Sequence, residues 1–505
     1  MKIIKQSKIM NYTIYNTDNG NTYLYSFYKQ QTILLSPGLE FIVNKLAESQ
    51  QNIDFIEQNV ITFKNKIYNK KELSYYYNKY IFLKENDFFK EIDTKEVLSG
   101  KIKQTDIEDS LNNVKNLTFE ITEKCNLKCR YCVYGDNYSV HSAREYIDLD
   151  YELAQKTIDY FVLKWLSDSN NFYRKIVIGF YGGEALLRFD TVIEIVNYLK
   201  TISKTTGLNF QFIMTTNGIL LDKYIDFLVE NDFWLTISLD GNAENNSYRV
   251  FNKNRTSYDK VVSNIKLIQD KFTDFYFKNV NFSTVLHDKN NEYQVNEFFN
   301  KNFIKSTRSS VAKVLDKKNE NLFQYQPTGI YEIIKSNKDY KKFVSTSSPI
   351  NFMMFFKNYF GIISNNYSEI TNEKYLTKYY PTGSCSPFSK KIFISAQGNI
   401  YPCERINFRF VFGKITSEKI EINTKEIAAQ YNNYFLKMQK QCANCYNFIY
   451  CQSCFFASII KDDDSIVCPN FISKNSHSDF LSFYWSFCEK FPNFYTKIIK
   501  NFIYE

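Results

Sequence analysis

The sequence is short of several things, and each shortage closes off a class of function. Histidine occurs only three times in 505 residues, as His141, His287 and His477, with no second ligand-type residue at helical or turn spacing. All three read as structural or surface residues, which leaves cysteine as the soft metal ligand. No apolar run approaches the roughly 18 to 20 residues of a membrane span. The N-terminal MKIIKQSKIMNYTIYN lacks the apolar core and small-residue cleavage site of a signal peptide. A soluble, cytoplasmic protein without a membrane partner is expected. Long basic runs are missing as well: Lys plus Arg number 63 against 54 Asp plus Glu, and the excess is spread along the chain. Nucleic-acid binding, which concentrates basic charge on one face, is therefore not expected, although the balance suits an acidic peptide. No internal repeat is apparent.

What the chain does have is length, enough for two to four domains, and aromatic residues, 40 Tyr and 46 Phe. These read as a Phe- and Tyr-rich core rather than as platforms for stacking bases.

The eleven cysteines are the sharpest feature. Cys125, Cys129 and Cys132 form one group, and none follows until Cys385, Cys403, Cys442, Cys445, Cys451, Cys454, Cys468 and Cys488. A secreted disulfide scaffold would be short and export-tagged, so metal-bound thiolates in a reducing compartment fit better. Structural zinc is an alternative for CANCYNFIYCQSC, which supplies four thiolates, although its inner gap is short beside a zinc-ribbon loop. Zinc does not account for the isolated trio. Three closely spaced thiolates suit a cubane iron-sulfur cluster with one iron left open to substrate or cofactor. Eleven thiolates match one such open cluster and two fully ligated ones, while Cys488, in the apolar FLSFYWSFCEKF, reads equally well as core.

The surroundings of the trio repeat a rhythm of strand, loop and helix. NLTFEIT (116–122) alternates as a strand, and a helical pattern follows over 151–166. KIVIGFYGGE (175–184), NFQFIMTTNG (209–218), FWLTISLDG (233–241) and VNFSTVLHD (280–288) read as further strands, separated by helical LDKYIDFLVEN and SYDKVVSNIKLIQDKF. Such alternation implies a parallel α/β sheet or open barrel with its chemistry at the C-terminal strand ends. Gly182 and Gly183 fall at such an end and let backbone approach a ligand, while Glu184 offers a carboxylate to an ammonium.

The pattern C-x-x-x-C-x-x-C with Tyr131 before its last cysteine, followed by that Gly-Gly-Glu segment, resembles the signature of the radical S-adenosylmethionine (radical SAM) superfamily. The resemblance implies that Cys125, Cys129 and Cys132 hold a 4Fe-4S cluster that binds SAM, and that Gly182, Gly183 and Glu184 hold the methionine amino group. It assigns SAM contacts to Tyr131, Asn217, Ser238 and Asp240, and gives Arg249 the methionine carboxylate. Ala185 replaces the family's usual proline, and the later glycine-containing adenine motif is not evident in VNFSTVLHD.

The segment CSPFSKKIFISAQGNIYPCER (385–405), with C-x-x-C-x5-C-x-x-C and then Cys468, resembles the seven-cysteine SPASM extension. Carried over, Cys442, Cys445, Cys451 and Cys468 hold one auxiliary 4Fe-4S cluster, and Cys385, Cys403 and Cys454 another, with Cys488 or substrate as its fourth ligand. Glu404 stands where sulfatase-maturing relatives carry a proton-accepting carboxylate, a role that a desolvated, raised pKa would serve.

The expected fold is α/β. A small N-terminal winged-helix-like α+β domain (1–105) would precede a partial (β/α)6 TIM-like barrel (113–304), a bridging region (305–380), a cysteine-rich SPASM iron-sulfur domain (381–490) and a tail (491–505). The N-terminal domain resembles, in size and placement, the leader-binding (RRE-like) element of ribosomal-peptide maturases, where an edge strand takes the peptide by strand addition. The resemblance implies an oxidoreductase-type radical SAM enzyme with SAM and three 4Fe-4S clusters. It would form a 5'-deoxyadenosyl radical and install a thioether or carbon-carbon crosslink in a precursor peptide with a leader. A flavodoxin or ferredoxin would supply electrons. Two alternatives stand beside it, formylglycine formation by an anaerobic sulfatase-maturing enzyme and a non-catalytic zinc or iron-sulfur protein.

Overall fold

Alternation of Tyr, Thr and Ile in the first described residues produces an antiparallel sheet of Tyr12–Asn16 (β1), Thr22–Ser26 (β2) and Gln31–Leu35 (β3), in chain order. The computed structural model describes residues 9–48, 60–132, 134, 145–251, 255–305, 307–311, 378–406, 410–449, 451, 453–457, 459–460, 466–468, 470–490 and 492–493. Pro37 opens helix α1 (Pro37–Glu48), where its missing N–H is no loss. A hairpin, Val60–Phe63 (β4) with Lys66–Asn69 (β5), leads directly into α2 (Lys70–Glu85). Asn69 and Glu72 form a reciprocal capping box that fixes the start of α2. The aromatic stretch 74–83, SYYYNKYIFL, lies within this helix.

Strand β6 (Asn116–Thr122) buries Leu117, Phe119 and Ile121 completely. Helix α3 (Tyr151–Leu166) follows, capped by Asp150 and carrying Ala154, Ile158, Phe161 and Trp165 on its buried face, the spacing of an amphipathic helix. Next come β7 (Lys175–Gly182), α4 (Phe189–Thr206), β8 (Asn209–Thr216), α5 (Leu221–Glu230), β9 (Trp234–Ser238), α6 (Tyr258–Lys271), β10 (Val280–Leu286), α7 (Glu292–Phe303) and β11 (Thr307–Val311). Strands β6 to β11 lie side by side in chain order, each parallel to the next. All therefore end on the same side, which brings their following loops together.

A ten-stranded sheet results, because Ile392–Ile394 (β12) adds parallel to the other side of β6, with Ile392 opposite Leu117. Asn399–Tyr401 (β13), Gly413–Ile415 (β14) and Ile420–Ile422 (β15) continue it antiparallel. Helix α8 (Thr424–Cys442) and, later, α9 (Lys474–Lys490) complete the main elements.

The consecutive segments expected from sequence are not the compact units. One unit holds the described residues of Met1–Lys101, Pro349–Ser384 and Tyr431–Glu505, and the other those of Ile102–Ser348 and Cys385–Gln430. The reason is β12: its backbone pairs with β6, so the first part of the SPASM segment belongs to the parallel sheet. In the first unit α9 lies on the N-terminal strands. Trp485 stacks on Tyr23 at 5.3 Å, and the Glu489 carboxylate accepts from Asn19, Asn21 and Tyr23 at 2.8 to 2.9 Å. Most of the bridge expected over 305–380, the tail beyond 493, and His141 lie outside the described residues. Among the described residues no helix is long and apolar enough to cross a membrane.

Candidate functional site

Strand β6 runs out at Thr122, and the chain turns at once into the cysteine loop. Two strand-end loops meet there. The N–H of Gly183 donates to the Thr122 carbonyl at 2.8 Å and that of Glu184 to the Lys124 carbonyl at 2.9 Å. A Cβ on Gly183 would lie 2.2 Å from the Lys124 oxygen, and one on Gly182, at φ +130°, 2.3 Å from the Thr122 oxygen. The glycines are thus required by close approach of the cysteine loop's own backbone, a tighter constraint than the approach of a ligand expected from sequence. Asp148 braces the same turn, accepting from Thr122 Oγ1 at 2.6 Å, Lys124 at 2.8 Å and Arg188 at 2.6 Å.

Glu184 departs from its expected role. Its carboxylate is buried and accepts from Thr216 Oγ1 at 2.8 Å, the Asn217 N–H at 2.7 Å and the Leu186 N–H at 3.2 Å. It fastens the end of β7 to the end of β8. Burial pushes its carboxyl up to about 7, against the pull of those three donors. Asn217 in turn donates from its side chain to Asn126 Oδ1 at 2.7 Å and lies 3.8 Å from Cys125 Sγ. It therefore contacts the cysteine loop directly.

Asp240 and Arg249, expected at the ribose and the methionine carboxylate, face each other instead. The Arg249 fork donates Nε and Nη2 to the two Asp240 oxygens, each at 3.0 Å. Asp240 is fully buried and also accepts from the Val285 N–H at 2.9 Å and from the Tyr131 hydroxyl. The carboxylate is filled by protein donors. Tyr131 stacks on His287 at 5.7 Å with the Arg249 guanidinium 5.5 Å from its centroid, so His287, structural by sequence, supports the ring next to two cysteines. Burial keeps the His287 pKa below its ordinary value, which favours the neutral ring. Ser238 ends β9 half-buried on the neighbouring strand.

Burial also pushes the Cys129 thiol up; Arg249 opposes this, whereas Cys132 and Cys125 add to it. Among the described residues no three His, Cys, Asp or Glu side chains gather as ligands of a single metal ion. The donors that share this loop are thiols, the residue type that suits an iron-sulfur cluster rather than a lone hard cation.

A second cysteine group lies in the other unit. Cys442, Cys445, Cys451, Cys454 and Cys468 line one cavity. Burial raises the Cys442 thiol to about 12, and Cys451, Cys445 and Cys468 add to the rise. Cys454, assigned by resemblance with Cys385 and Cys403, thus shares a cavity with the other set. Cys488 does not line it: this residue sits on α9 near Tyr15 and Tyr23 of the N-terminal sheet, with its thiol raised by burial to about 12. Its neighbours there include aromatic side chains of the N-terminal strands.

Glu404 also departs from expectation. Burial raises its pKa, but Lys391 at 3.0 Å and Arg405 at 3.6 Å more than offset this and hold the carboxyl below its ordinary range. A carboxylate so stabilised is a weak base. Sequence reading passed over Tyr134, Asp148, Asn126 and Lys391; only the position of Tyr134, just beyond Cys132, was a usable signal.

Residues 119–299 match the family model of the radical SAM superfamily, and residues 385–446 that of the SPASM iron-sulfur cluster-binding domain. A stretch of 148 residues is 30% identical to an uncharacterized protein of Methanocaldococcus jannaschii, covering 29% of this chain and 46% of that protein. Another of 150 residues is 27% identical to the cysteine-type anaerobic sulfatase-maturating enzyme of Clostridium novyi, covering 29% and 38%. A third of 161 residues is 24% identical to the radical SAM cyclopropyl synthase TigE of Paramaledivibacter caminithermalis, covering 31% and 33%. The matches span less than half the length of each of these relatives. The solved structure of native anSMEcpe with bound AdoMet and Cp18Cys peptide aligns with 76% of this chain and 98% of its own, at TM-score 0.53 and 18% identity, a likeness of fold.

Proposed function

The chain belongs to the radical SAM superfamily and carries a SPASM iron-sulfur cluster-binding domain, and from that premise we propose that it is an enzyme that uses SAM to take a hydrogen atom from a peptide residue. The observation that carries this reading is the placement of Cys125, Cys129 and Cys132 in the loop that follows β6, whose backbone at Thr122 and Lys124 lies against Gly182 and Gly183. In this reading β6 to β11 form a partial (β/α)6 barrel open at the strand ends. Cys125, Cys129 and Cys132 would hold the SAM-binding 4Fe-4S cluster. Cys442, Cys445, Cys451 and Cys468 would hold a second cluster, and the family resemblance alone would give Cys385, Cys403 and Cys454 to a third. With SAM bound, such a cluster supplies one-electron reductive cleavage that yields a hydrogen-abstracting carbon radical. The chain's own contribution is to hold the loop rigid through Glu184, Asn217 and Asp148, and to present Ser238 and the backbone of Gly182 and Gly183 beside it. A flavodoxin- or ferredoxin-type protein would deliver the electron.

Two product classes are open to this chemistry. Oxidation of a Cys or Ser residue to formylglycine is the better supported, because the matched relatives include both cysteine-type and serine-type anaerobic sulfatase-maturating enzymes. Crosslinking of a precursor peptide is the second reading, and the N-terminal unit favours it. In the order β1-β2-β3, β3 has a strand partner on one side only among the described residues. Beside it Ile33, Leu39, Tyr75, Lys79, Phe82 and Leu83 line a cavity. An extended leader peptide pairing with β3 would place apolar side chains there.

The test is anaerobic reconstitution of the full chain, with iron, sulfide and 5'-deoxyadenosine measured for the wild type and a Cys125/Cys129/Cys132 triple alanine variant. About twelve irons falling to about eight, with loss of the nucleoside, is expected for three cubane clusters. Bound zinc, or full clusters without SAM cleavage, would overturn the reading. Mass spectrometry of a sulfatase-derived Cys peptide and of a leader-bearing peptide then separates the two product classes.

A further inference from the structure

The three-cysteine loop is held from behind by one buried ion pair. The N–H of Lys128 donates to the Val250 carbonyl at 2.7 Å and that of Arg130 to the Tyr248 carbonyl at 3.1 Å. These two bonds bracket Cys129 on one side and Arg249 on the other, so the middle of the loop lies along residues 248–250 like a short strand pair. That backing segment is itself pinned. Arg249 donates its N–H to the Asn246 carbonyl and accepts at its own carbonyl from Ser257, each at 3.0 Å. Its guanidinium is nine-tenths buried and forked onto Asp240.

Asp240 is anchored independently of Arg249. Its N–H donates to Asn246 Oδ1 at 3.2 Å, its carbonyl accepts from Asn290 at 3.2 Å, and its carboxylate receives the Val285 N–H of β10. The Tyr131 hydroxyl closes the circuit onto the same carboxylate. Tyr131 and Tyr248 form one small core with Cys129 and Val285 packed against it. The end of β10 is thereby linked through one carboxylate to both the backing segment and the aromatic residue between the second and third cysteines.

We propose that the Asp240–Arg249 pair is the positioning device of the cysteine loop, fixing Cys129 and Tyr131 before any cofactor is present, and that Arg249 acts through the loop rather than on the methionine carboxylate. A forked guanidinium suits this role because it holds both carboxylate oxygens in one plane, which an ammonium cannot do. The proposal gains its consequence for SAM chemistry from the reading above, but the preformed loop is a property of the chain alone.

The test uses the full apo chain under anaerobic conditions, with timed iodoacetamide labelling of each cysteine read by mass spectrometry and Cys442 as the internal reference. Breaking a buried pair leaves the other charge unpaired, so in Arg249→Gln the labelling of Cys129 should rise about tenfold with Cys442 unchanged. Arg249→Lys, which keeps the charge and loses the fork, should fall between. If Arg249→Gln unfolds the chain, Cys442 labelling rises too, and Tyr131→Phe decides, because it removes one hydroxyl and keeps the ring. A rise at Cys129 alone of about threefold then supports the proposal, on the scale of one charge-assisted hydrogen bond, and no rise overturns it. Unchanged Cys129 labelling in Arg249→Gln, combined with weakened SAM binding after reconstitution, would instead make Arg249 a ligand of SAM and overturn the proposal. Failure of the radical SAM reading has a different signature: wild-type chain that takes up no iron while the labelling pattern stands.

Discussion

Tyr134 and Glu404, 270 residues apart in sequence, are joined by a hydrogen bond of 2.8 Å from the phenol to the Glu404 carbonyl. It ties the chain just beyond Cys132 to the residue that follows Cys403, so the two cysteine segments of this unit are braced against each other. Tyr134→Phe removes only that donor. It should lower stability of the apo chain by about 1 kcal/mol in urea unfolding, the net worth of one such bond, and an unchanged midpoint would show that water replaces it.

Gly183 leaves no room for a side chain. Gly183→Ala places a Cβ 2.2 Å from the Lys124 carbonyl oxygen, and that neighbour is backbone. The cysteine loop must move, at a cost of about 2 kcal/mol or more. Reconstituted variant should lose the irons of the SAM-binding site and keep those of the SPASM segment. Full iron content would show the loop to be more pliant than its packing implies.

Glu184 predicts a pH dependence. Its carboxyl is raised from 4.5 to about 7 in the fold, so its contribution to stability is fully present below about pH 4.5 and is lost as pH rises through about 7. The loss amounts to a few kcal/mol. Glu184→Gln should remove this slope, making the difference in unfolding free energy between pH 5 and pH 8 smaller than in wild type. An identical slope would place the titration elsewhere.

Glu404 runs the other way. Its pKa is held down by Lys391, so its stabilisation is present above the ordinary carboxylate range and lost as pH falls through the lowered value. Lys391→Met should destabilise the chain by about 2 kcal/mol at neutral pH, less than for a fully buried pair because Lys391 is itself partly exposed. Lys391→Met with Glu404→Leu should recover most of the loss. If the double variant is no better than the single, the pair is not the unit that matters.

The cysteines divide by iron counting. Cys442→Ser should cost about four irons, whereas Cys488→Ser should leave the content unchanged, because thiolate ligation and not apolar packing holds a cluster. A matching loss from both variants would return Cys488 to the ligand set.

Much of this was legible in the sequence. Strands β6 to β10 and helices α3, α5 and α6 followed from apolar periodicity, and the trio of cysteines fell in the loop after the first of these strands, as the pattern required. What periodicity does not encode is which distant segments pair. Three residues near 393 give no signal that they will extend the sheet at β6, and Cys488 looks like a ligand by counting and like core by pattern. Sequence likewise named Glu184, Asp240 and Arg249 without showing that their charges would be absorbed within the protein.

The sequence by itself determined the chemistry available: eleven thiols in two groups, almost no histidine, and glycines at a strand end, because residue type and short spacing set which ligands a loop can offer. Only the tertiary structure decided how the charged groups are spent. A carboxylate is free or filled according to the donors brought to it by burial and by strands far apart in the chain, and that is why Asp240 turns to Arg249, Glu184 to Asn217, and Glu404 to Lys391.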